Sequence, residues 1–248
     1  MIDCEFHILI PARLDSSRLP RKALADLGGQ PMVVRTLERA RDSGASSVTV
    51  ATDSEEIAAV VEAAGGDSLM TSATHRSGTD RLAEAVERLG LADQAIVVNL
   101  QGDEPAMPTA CLRQVANLLA GHEHADMATL WQPLASEQQW RDPNVVKLVC
   151  DRQRRALYFS RAAIPWPREG GWPVEVACRH VGLYAYRASA LRAWRELPFS
   201  ELEVLESLEQ LRALAAGWLI LAERACAEIP VGVDTPEHLA AMRARWPS

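Results

Sequence analysis

Residues 95–105 read AIVVNLQGDEP, and this stretch decides the fold class. Its first six residues form a near-continuous apolar run, which is typical of a strand covered on both faces in a parallel sheet. A polar turn follows where that strand must end. Because ligands of open α/β sheets bind beyond the carboxyl ends of the strands, the turn is a candidate site.

Short apolar runs alternate with helical patterns on the amino-terminal side of this stretch. The predicted strands are Cys4–Ile10 and Ser47–Thr52, and the predicted helices are Met32–Arg41 and the residues after an N-cap at Ser54. Strands separated by single helices imply a mostly parallel, doubly wound α/β sheet. The loops after Ile10, Leu100 and Val233 are therefore the places to look for a site.

The pattern changes between residues 126 and 186. Four strands with turn-rich joints are predicted there, at Asp126–Leu130, Val145–Cys150, Ala156–Phe159 and Val181–Tyr186. We interpret this stretch as a β-rich lobe, inserted into or packed on the parallel core, within a single domain that spans residues 1–248.

One helix is predicted after Ser200. Its leucines recur every three residues and sweep about 240° of the helix surface at 100° per residue; they are Leu202, Leu205, Leu208, Leu211 and Leu214. The helix should therefore be buried over much of its circumference. Glu203, Glu206 and Glu209 share the spacing, so these carboxylates cannot all reach water.

Composition and charge exclude several classes of function. The 26 Lys and Arg residues against 33 Asp and Glu residues give a net charge of −7, so a nucleic-acid partner is not expected. The apolar stretch Ala213–Ala222 is about half of a membrane span, and no basic amino-terminal region indicates a secretory signal. The predicted location is cytoplasmic, without a membrane anchor. The 5 cysteines include no CxxC pair and are expected to be free thiols.

The loop after the first strand concentrates positive charge in a chain that is acidic overall. Residues 10–22 read IPARLDSSRLPRK and contain Arg13, Arg18, Arg21 and Lys22. Such a cluster at the carboxyl end of a strand can bind a polyphosphate, and the alternative is a solvated basic loop. The chain contains neither the Walker pattern GxxxxGK[ST] nor GxGxxG.

Two aspartates are candidate ligands of a divalent cation. Asp103 directly follows the buried strand, where Mg²⁺ can be held beside a phosphate, and Gly102 allows close backbone approach. The alternative is that Asp103 caps the next helix. Thr235 and Pro236 are typical of a helix start, which does not require Asp234.

Two further segments carry polar side chains of interest. Ser77 is predicted to start a helix whose N–H groups can bind an anion, although an ordinary helix start explains it equally well. His180 and Tyr184 lie four residues apart on a predicted strand and should share one face. No HExxH or GxSxG motif is present, so zinc and serine hydrolases lack support.

Ten segments, taken in order, resemble the cytidylyltransferase family that activates 3-deoxy-manno-octulosonate (KDO), the CMP-KDO synthetases. They are IPARxxSxRLPxK at 10–22, GxPMVVRTLERA at 29–40, VATD at 50–53, HxSGTDRLAE at 75–84, VNLQGDEP at 98–105, NxVKLV at 144–149, LYFSRAxIPW at 157–166, RHVGLYAYR at 179–187, LExLEQLRxL at 205–214 and GVDTPEHL at 232–239. Any one could arise by chance, but ten at the family's spacing are specific.

The resemblance implies a nucleotide-diphospho-sugar transferase fold and the reaction CTP + KDO → CMP-KDO + diphosphate, which feeds lipopolysaccharide assembly. The anomeric hydroxyl of KDO would attack the α-phosphorus of CTP with Mg²⁺ present. The family usually forms homodimers, so we expect the lobe to be a dimerisation lobe whose interface uses tryptophans, namely Trp131, Trp140, Trp166 and Trp172.

The same resemblance implies the site residues. The nucleotide would be bound by Ala12, Arg13, Lys22, Ser77, Thr79, Arg81 and Asp103, of which Arg13, Lys22 and Asp103 would be catalytic. The sugar would be bound by Gln101, Arg161, His180, Tyr184, Glu209 and Gln210. Asp103 and Asp234 would be the ligands of Mg²⁺.

Two residues depart from the family pattern: Arg21 stands where the family usually has Gly, and Ala23 stands where it commonly has Pro. Gly there would permit an unusual backbone angle, which Arg loses or replaces with a phosphate contact. Three alternative functions stay open: a sialic-acid cytidylyltransferase with the same basic loop, an enzyme for an 8-amino KDO analogue, and a non-catalytic nucleotide-sugar binding protein.

Overall fold

A computed structural model describes residues 4–14 and 19–246. Within the basic loop, Asp15 to Arg18 lie outside the described residues. The strands are β1 (His7–Ala12), β2 (Ser47–Thr52), β3 (Asp67–Met70), β4 (Ile96–Asn99), β5 (Met127–Pro133), β6 (Lys147–Cys150), β7 (Ala156–Ser160), β8 (Cys178–Arg187) and β9 (Ile220–Arg224).

Helices cover both faces of the sheet and connect most of its strands. They are α1 (Met32–Arg41), α2 (Glu55–Ala63), α3 (Gly78–Arg88), α4 (Thr109–Ala120), α5 (Glu137–Arg141), α6 (Ala188–Trp194), α7 (Glu201–Glu206), α8 (Gln210–Ala215) and α9 (Pro236–Arg243), with a 3₁₀ turn at Lys22–Leu24. None of the helices in the described residues combines the length and apolar character that crossing a bilayer requires.

The described strands form one sheet in the order β3-β2-β1-β4-β8-β5-β9. Strands β3, β2, β1 and β4 are mutually parallel, β8 runs antiparallel between β4 and β5, and β9 is parallel to β5. The predicted mostly parallel sheet is therefore confirmed. Since Leu9 of β1 pairs with Asn99 of β4, the carboxyl ends of these two strands lie side by side.

Local signals placed the helix starts correctly. The Ser54 hydroxyl accepts the N–H of Ile57, so Ser54 caps α2 as predicted. Helix α1 and strand β2 have the predicted bounds. Asp103 does not cap the next helix, because the N-cap of α4 is Pro108.

The four strands predicted between residues 126 and 186 are present. Strands β5 and β8 belong to the central sheet, while the β6–β7 hairpin branches from β8. A bulge in β8 lies between Val181 and Tyr184. Trp140 is fully buried and donates to the carbonyl of Ile164, so its predicted place in a dimer interface is wrong.

The single helix predicted after Ser200 is also wrong. The chain forms α7 and α8, which are separated at Ser207, where φ is 51° and the backbone is left-handed. The break turns Leu202 and Leu205 to solvent while Leu208 and Leu211 stay buried.

The three glutamates of this segment do form internal contacts, as predicted. Glu203 pairs with Arg212, Glu206 accepts the Ser160 hydroxyl, and Glu209 accepts the Thr79 hydroxyl.

Candidate active site

A cleft of about 310 Å³ opens beyond the carboxyl ends of β1 and β4. It is lined by residues from both strand ends, from the start of α3 and from two later segments. The predicted site residues that line it are Ala12, Arg13, Lys22, Ser77, Arg81, Gln101, Asp103, Glu209 and Asp234. The structure therefore brings together most of the predicted nucleotide-binding residues and both predicted metal ligands.

Backbone contacts fix the turn that carries Asp103. The Leu100 N–H donates to the carbonyl of Leu9 over 3.1 Å, and the Thr36 hydroxyl of α1 donates to the carbonyl of Gly102 over 3.0 Å. A Cβ at Gly102 would lie 3.2 Å from the carbonyl oxygen of Pro11. A side chain is therefore hard to accommodate at this position.

Asp234 lies beside Asp103 although no strand directly precedes it. The loop after Val233 was predicted to follow a strand, but Val233 lies in an irregular segment. Its N–H donates to the carbonyl of Asp103 over 2.9 Å. A Cβ at Gly232 would lie 2.6 Å from the Glu104 carboxylate. Gly232 therefore permits the close approach that brings Asp234 beside Asp103.

Lys22 lies between the two aspartates. Its Nζ is 2.5 Å from Asp103 Oδ2 and 3.0 Å from Asp234 Oδ1. Burial lowers the pKa of Lys22, but the charges and hydrogen bonds of Asp103 and Asp234 outweigh it, and the pKa is raised. The ammonium group therefore stays charged at neutral pH.

A third carboxyl group, that of Glu104, lies near the two aspartates. Burial raises the pKa of Glu104 to about 8, and the charges of Asp103 and Asp234 add to that rise. Oxygens of both aspartates already converge on one cation, the Lys22 ammonium. Mg²⁺ is commonly bound by one or two carboxylates plus phosphate and water oxygens, so this donor set fits it.

The wall of the cleft opposite these carboxylates is built on α3. The Ser77 hydroxyl accepts the N–H of Asp80 over 3.1 Å and so caps the helix. Arg81 is buried and its NH2 donates to Asp53 Oδ2 over 2.7 Å. The Asp53 carboxylate, from the VATD segment, therefore holds the Arg81 guanidinium in this wall.

Glu209 also lines the cleft. Its Oε2 accepts the Thr79 hydroxyl over 2.8 Å, which places Thr79 directly behind it. Burial raises the pKa of Glu209, while hydrogen bonds from Thr79 and Ser77 oppose that rise. A carboxylate at this position can accept hydrogen bonds from sugar hydroxyls.

The other predicted sugar-binding residues are not among those that line the cleft. His180 and Tyr184 do share a face, with ring centroids 5.3 Å apart, and Gln210 is buried. Arg161 donates to the carbonyls of Glu206 and Pro143. Their contact with a sugar stays a prediction.

Two cleft residues were missed by the sequence analysis. His75 Nε2 lies 2.5 Å from Glu84 Oε2, and the Arg76 guanidinium lies 5.4 Å from the centre of the Phe199 ring. They are the two residues before the N-cap Ser77, and this position at a helix start was the sequence signal that could have indicated them. No composition pattern marks Arg76, because its neighbour Phe199 is more than 100 residues away in the chain.

Comparisons with known proteins agree with this geometry. The family model described as "Cytidylyltransferase" matches residues 7–224. A protein of Cellvibrio japonicus named 3-deoxy-manno-octulosonate cytidylyltransferase is 47% identical over 96% of this chain and 97% of its own length. A protein of the same name from Yersinia enterocolitica is 52% identical, with the same coverage of both chains.

A solved structure, described as a CMP:2-keto-3-deoxy-manno-octonic acid synthetase complexed with CTP, has the same fold. It superposes with a TM-score of 0.90 at 40% identity and covers 98% of both chains. The fold, the paired strand ends and the sequence relatives agree, and the chain belongs to the cytidylyltransferase family, among its 3-deoxy-manno-octulosonate cytidylyltransferases.

Proposed function

We propose that the protein transfers CMP from CTP to the anomeric hydroxyl of KDO and releases diphosphate. The observation that carries this proposal is the convergence of Lys22, Asp103 and Asp234 in one cleft. These residues come from three separate segments of a chain whose relatives carry the name of that activity.

The cations of the cleft suit a nucleoside triphosphate. CTP carries close to four negative charges, and attack by an oxygen nucleophile places further charge at the α-phosphate. Arg13 and Lys22 would stabilise that charge in the transition state, inside a cleft where water is partly excluded. Mg²⁺, which Asp103 and Asp234 would hold, supplies further positive charge at the phosphates when bound.

Two further residues of the cleft suit a polyhydroxylated acid. Glu209 and Gln101 both line the cleft and carry oxygen acceptors for hydroxyl protons. The predicted partner of the sugar carboxylate is Arg161, since a guanidinium can make two parallel hydrogen bonds to a carboxylate. Together these groups would orient the anomeric hydroxyl toward the α-phosphate.

Diphosphate release from CTP tests the proposal. We expect release with KDO and Mg²⁺, but little with N-acetylneuraminate or with no sugar, and little after EDTA treatment. Release that needs N-acetylneuraminate would instead show a sialic-acid enzyme, and CTP binding without turnover on any sugar would show a binding protein. The 8-amino analogue is compared with KDO by kcat/KM.

The Lys22→Met variant checks the site itself. Without the ammonium group, kcat should fall by a factor of about 10² or more, because charge at the transferring phosphate is no longer offset. The Lys22→Arg variant keeps the charge and should retain more activity. Wild-type turnover in the methionine variant would contradict the assignment of Lys22.

We also propose a homodimer, a cytoplasmic location and a role in lipopolysaccharide synthesis. Exposed apolar side chains on the β6–β7 branch and the loop before β8 support an interface there; they are Leu157, Trp166, Val174 and Val176. Cys111, Cys150, Cys178 and Cys226 form no disulfide, as expected in a reducing compartment.

A further inference from the structure

Lys147 is a fully buried lysine to which the proposed reaction gives no role. It is 0% exposed and begins β6, the middle strand of the β7-β6-β8 branch. Its backbone pairs with Ser160 on one side and with Arg179 on the other.

The Lys147 ammonium holds three backbone carbonyls. Its Nζ donates to Asp142 over 2.8 Å, to Val145 over 2.6 Å and to Arg161 over 2.6 Å. Burial lowers the pKa of Lys147, the charge of Asp142 opposes that, and the charge of Arg161 adds to it. Since a buried ammonium needs all three of its donors satisfied, it fixes the turn at 142–145 against the backbone of Arg161.

Arg161 is held by the same turn. Its NH1 donates to the carbonyl of Pro143 over 2.9 Å, its Nε donates to the carbonyl of Glu206 over 2.6 Å, and its NH2 lies 3.4 Å from the carbonyl of Ser207. The Glu206 carboxylate in return accepts the backbone N–H of Arg161 over 2.7 Å. A guanidinium has five N–H donors, so one remains on each terminal nitrogen.

These contacts join Arg161 to the segment that carries Glu209. Ser207, whose carbonyl it reaches, is two residues before Glu209, which lines the cleft. A carboxylate that binds in a bidentate manner needs one N–H from each terminal nitrogen, and these are the donors that remain on Arg161. The orientation of those donors depends on the carbonyl of Pro143, and Lys147 fixes the turn that contains it.

We infer that Lys147 is the positioning residue for Arg161, holding its guanidinium so that it binds the carboxylate of the sugar acid. The inference rests on the proposed function. Lys147 does not contact the substrate, and it acts through the turn at 142–145 and through the backbone of Arg161.

The Lys147→Gln variant tests the inference by its effect on the two substrates. The KM for KDO should rise about tenfold or more, because the sugar carboxylate loses an aligned partner, while the KM for CTP changes by less than about twofold. The matched control is Arg155→Gln, which removes one cation from the turn of the same hairpin, where Arg155 pairs with Asp151. It should leave both KM values unchanged.

A double-mutant cycle separates positioning from general stability. In an Arg161→Ala background, Lys147→Gln should raise the KM for KDO by less than about twofold, because the group it positions is absent. A full tenfold rise in that background would overturn the inference. So would a Lys147→Gln enzyme that loses thermal stability and keeps both KM values, or one in which both KM values rise equally.

If Lys147→Gln does not fold, the milder variant Asp142→Ala tests the same inference. Asp142 Oδ1 accepts the N–H of Asn144 over 2.8 Å, so Asp142→Ala loosens the turn but keeps the backbone carbonyl that accepts from the Lys147 ammonium. It should raise the KM for KDO selectively, by about threefold, and an unchanged KM would overturn the inference. If the wild type does not use KDO, the proposed function is contradicted. If the wild type turns over KDO normally and the variants keep its KM for KDO, only this inference is contradicted.

Discussion

At the scale of single residues, Arg21 shows how a departure from a family pattern is accommodated. Its backbone is left-handed, with φ of 56° and ψ of 32°, a region that glycine enters freely and other residues enter at a cost. Its guanidinium reaches outward to the Glu56 carboxylate on α2. In this structure Arg21 therefore keeps the backbone angle for which a glycine is suited and directs its charge to an acidic neighbour.

We expect Arg21→Gly to keep CTP turnover within about threefold of wild type, because the backbone angle is retained. Arg21→Ala loses the ion pair without relieving the left-handed strain, so it should be less stable than Arg21→Gly by about 1 kcal/mol. Urea unfolding and steady-state kinetics measure both effects. A tenfold rise in the KM for CTP in Arg21→Gly would show that Arg21 binds the triphosphate instead.

His180 is a second residue with a measurable consequence. Burial, with the nearby charge of Arg179, lowers its pKa to about 3, against 6.5 for an exposed imidazole. Its Nε2 lies 3.0 Å from the Thr129 hydroxyl, whose single proton is directed to the carbonyls of Val181 and Leu183. The imidazole therefore stays neutral and donates from Nε2.

Between pH 6.5 and pH 3 the unfolded chain binds a proton at residue 180 that the folded chain does not bind. Stability therefore falls as the pH drops below 6.5, by about 2 kcal/mol at pH 5 from this group. His180→Gln keeps a donor but does not titrate, so it should lose about 2 kcal/mol less than wild type between pH 7 and pH 5. Equal losses in urea unfolding would contradict the neutral state of His180.

At the scale of elements, local signals were reliable and long-range pairing was not. Caps at Ser54, Ser77 and Thr235 were predictable because each hydroxyl binds an N–H three residues later. The break at Ser207 was not, because serine carries no signal for a left-handed backbone. The insertion of β8 between β4 and β5 depends on strand pairing across distant segments, which hydrophobic periodicity does not encode.

The N-cap of α9 stabilises that helix and also fixes the neighbouring site residue Asp234. The Thr235 hydroxyl accepts the N–H of His238 over 3.2 Å, directly after Asp234. Thr235→Ala should cost about 1 kcal/mol of stability and also lower kcat, because Asp234 loses its anchor. Ser136→Ala removes the equivalent cap of α5 and should cost a similar stability while leaving kcat unchanged. Equal kcat in the two variants, by steady-state assay, would contradict the link.

At the scale of the whole molecule, the positions of most nucleotide-site residues were predictable, and those of several sugar-site residues were not. Segments such as VNLQGDEP fix a residue relative to a strand end, and strand ends meet at one edge of the sheet. His180 and Gln210 instead depend on how the β6–β7 branch and the α7–α8 break pack behind Glu209, and nothing in their own segments specifies that packing.

The proposed homodimer is tested at this scale by light scattering. We expect wild type to have the mass of a dimer at micromolar concentration and Leu157→Glu to have that of a monomer, because a charge would then lie in the apolar interface. Leu157 is 59% exposed, so the substitution is compatible with the fold. The control Leu89→Glu adds the same charge at the end of α3 and should stay dimeric. A monomeric wild type would remove the proposal.

Asp234, which lies in an irregular segment after the last strand, is the last residue of the site to be synthesised. A ribosome makes all nine strands of the described chain before it reaches residue 234. The chain therefore contains every one of these strands before the second carboxylate is made. A translation product that stops at about residue 230 would carry the whole described sheet and still be inert, because it lacks Asp234.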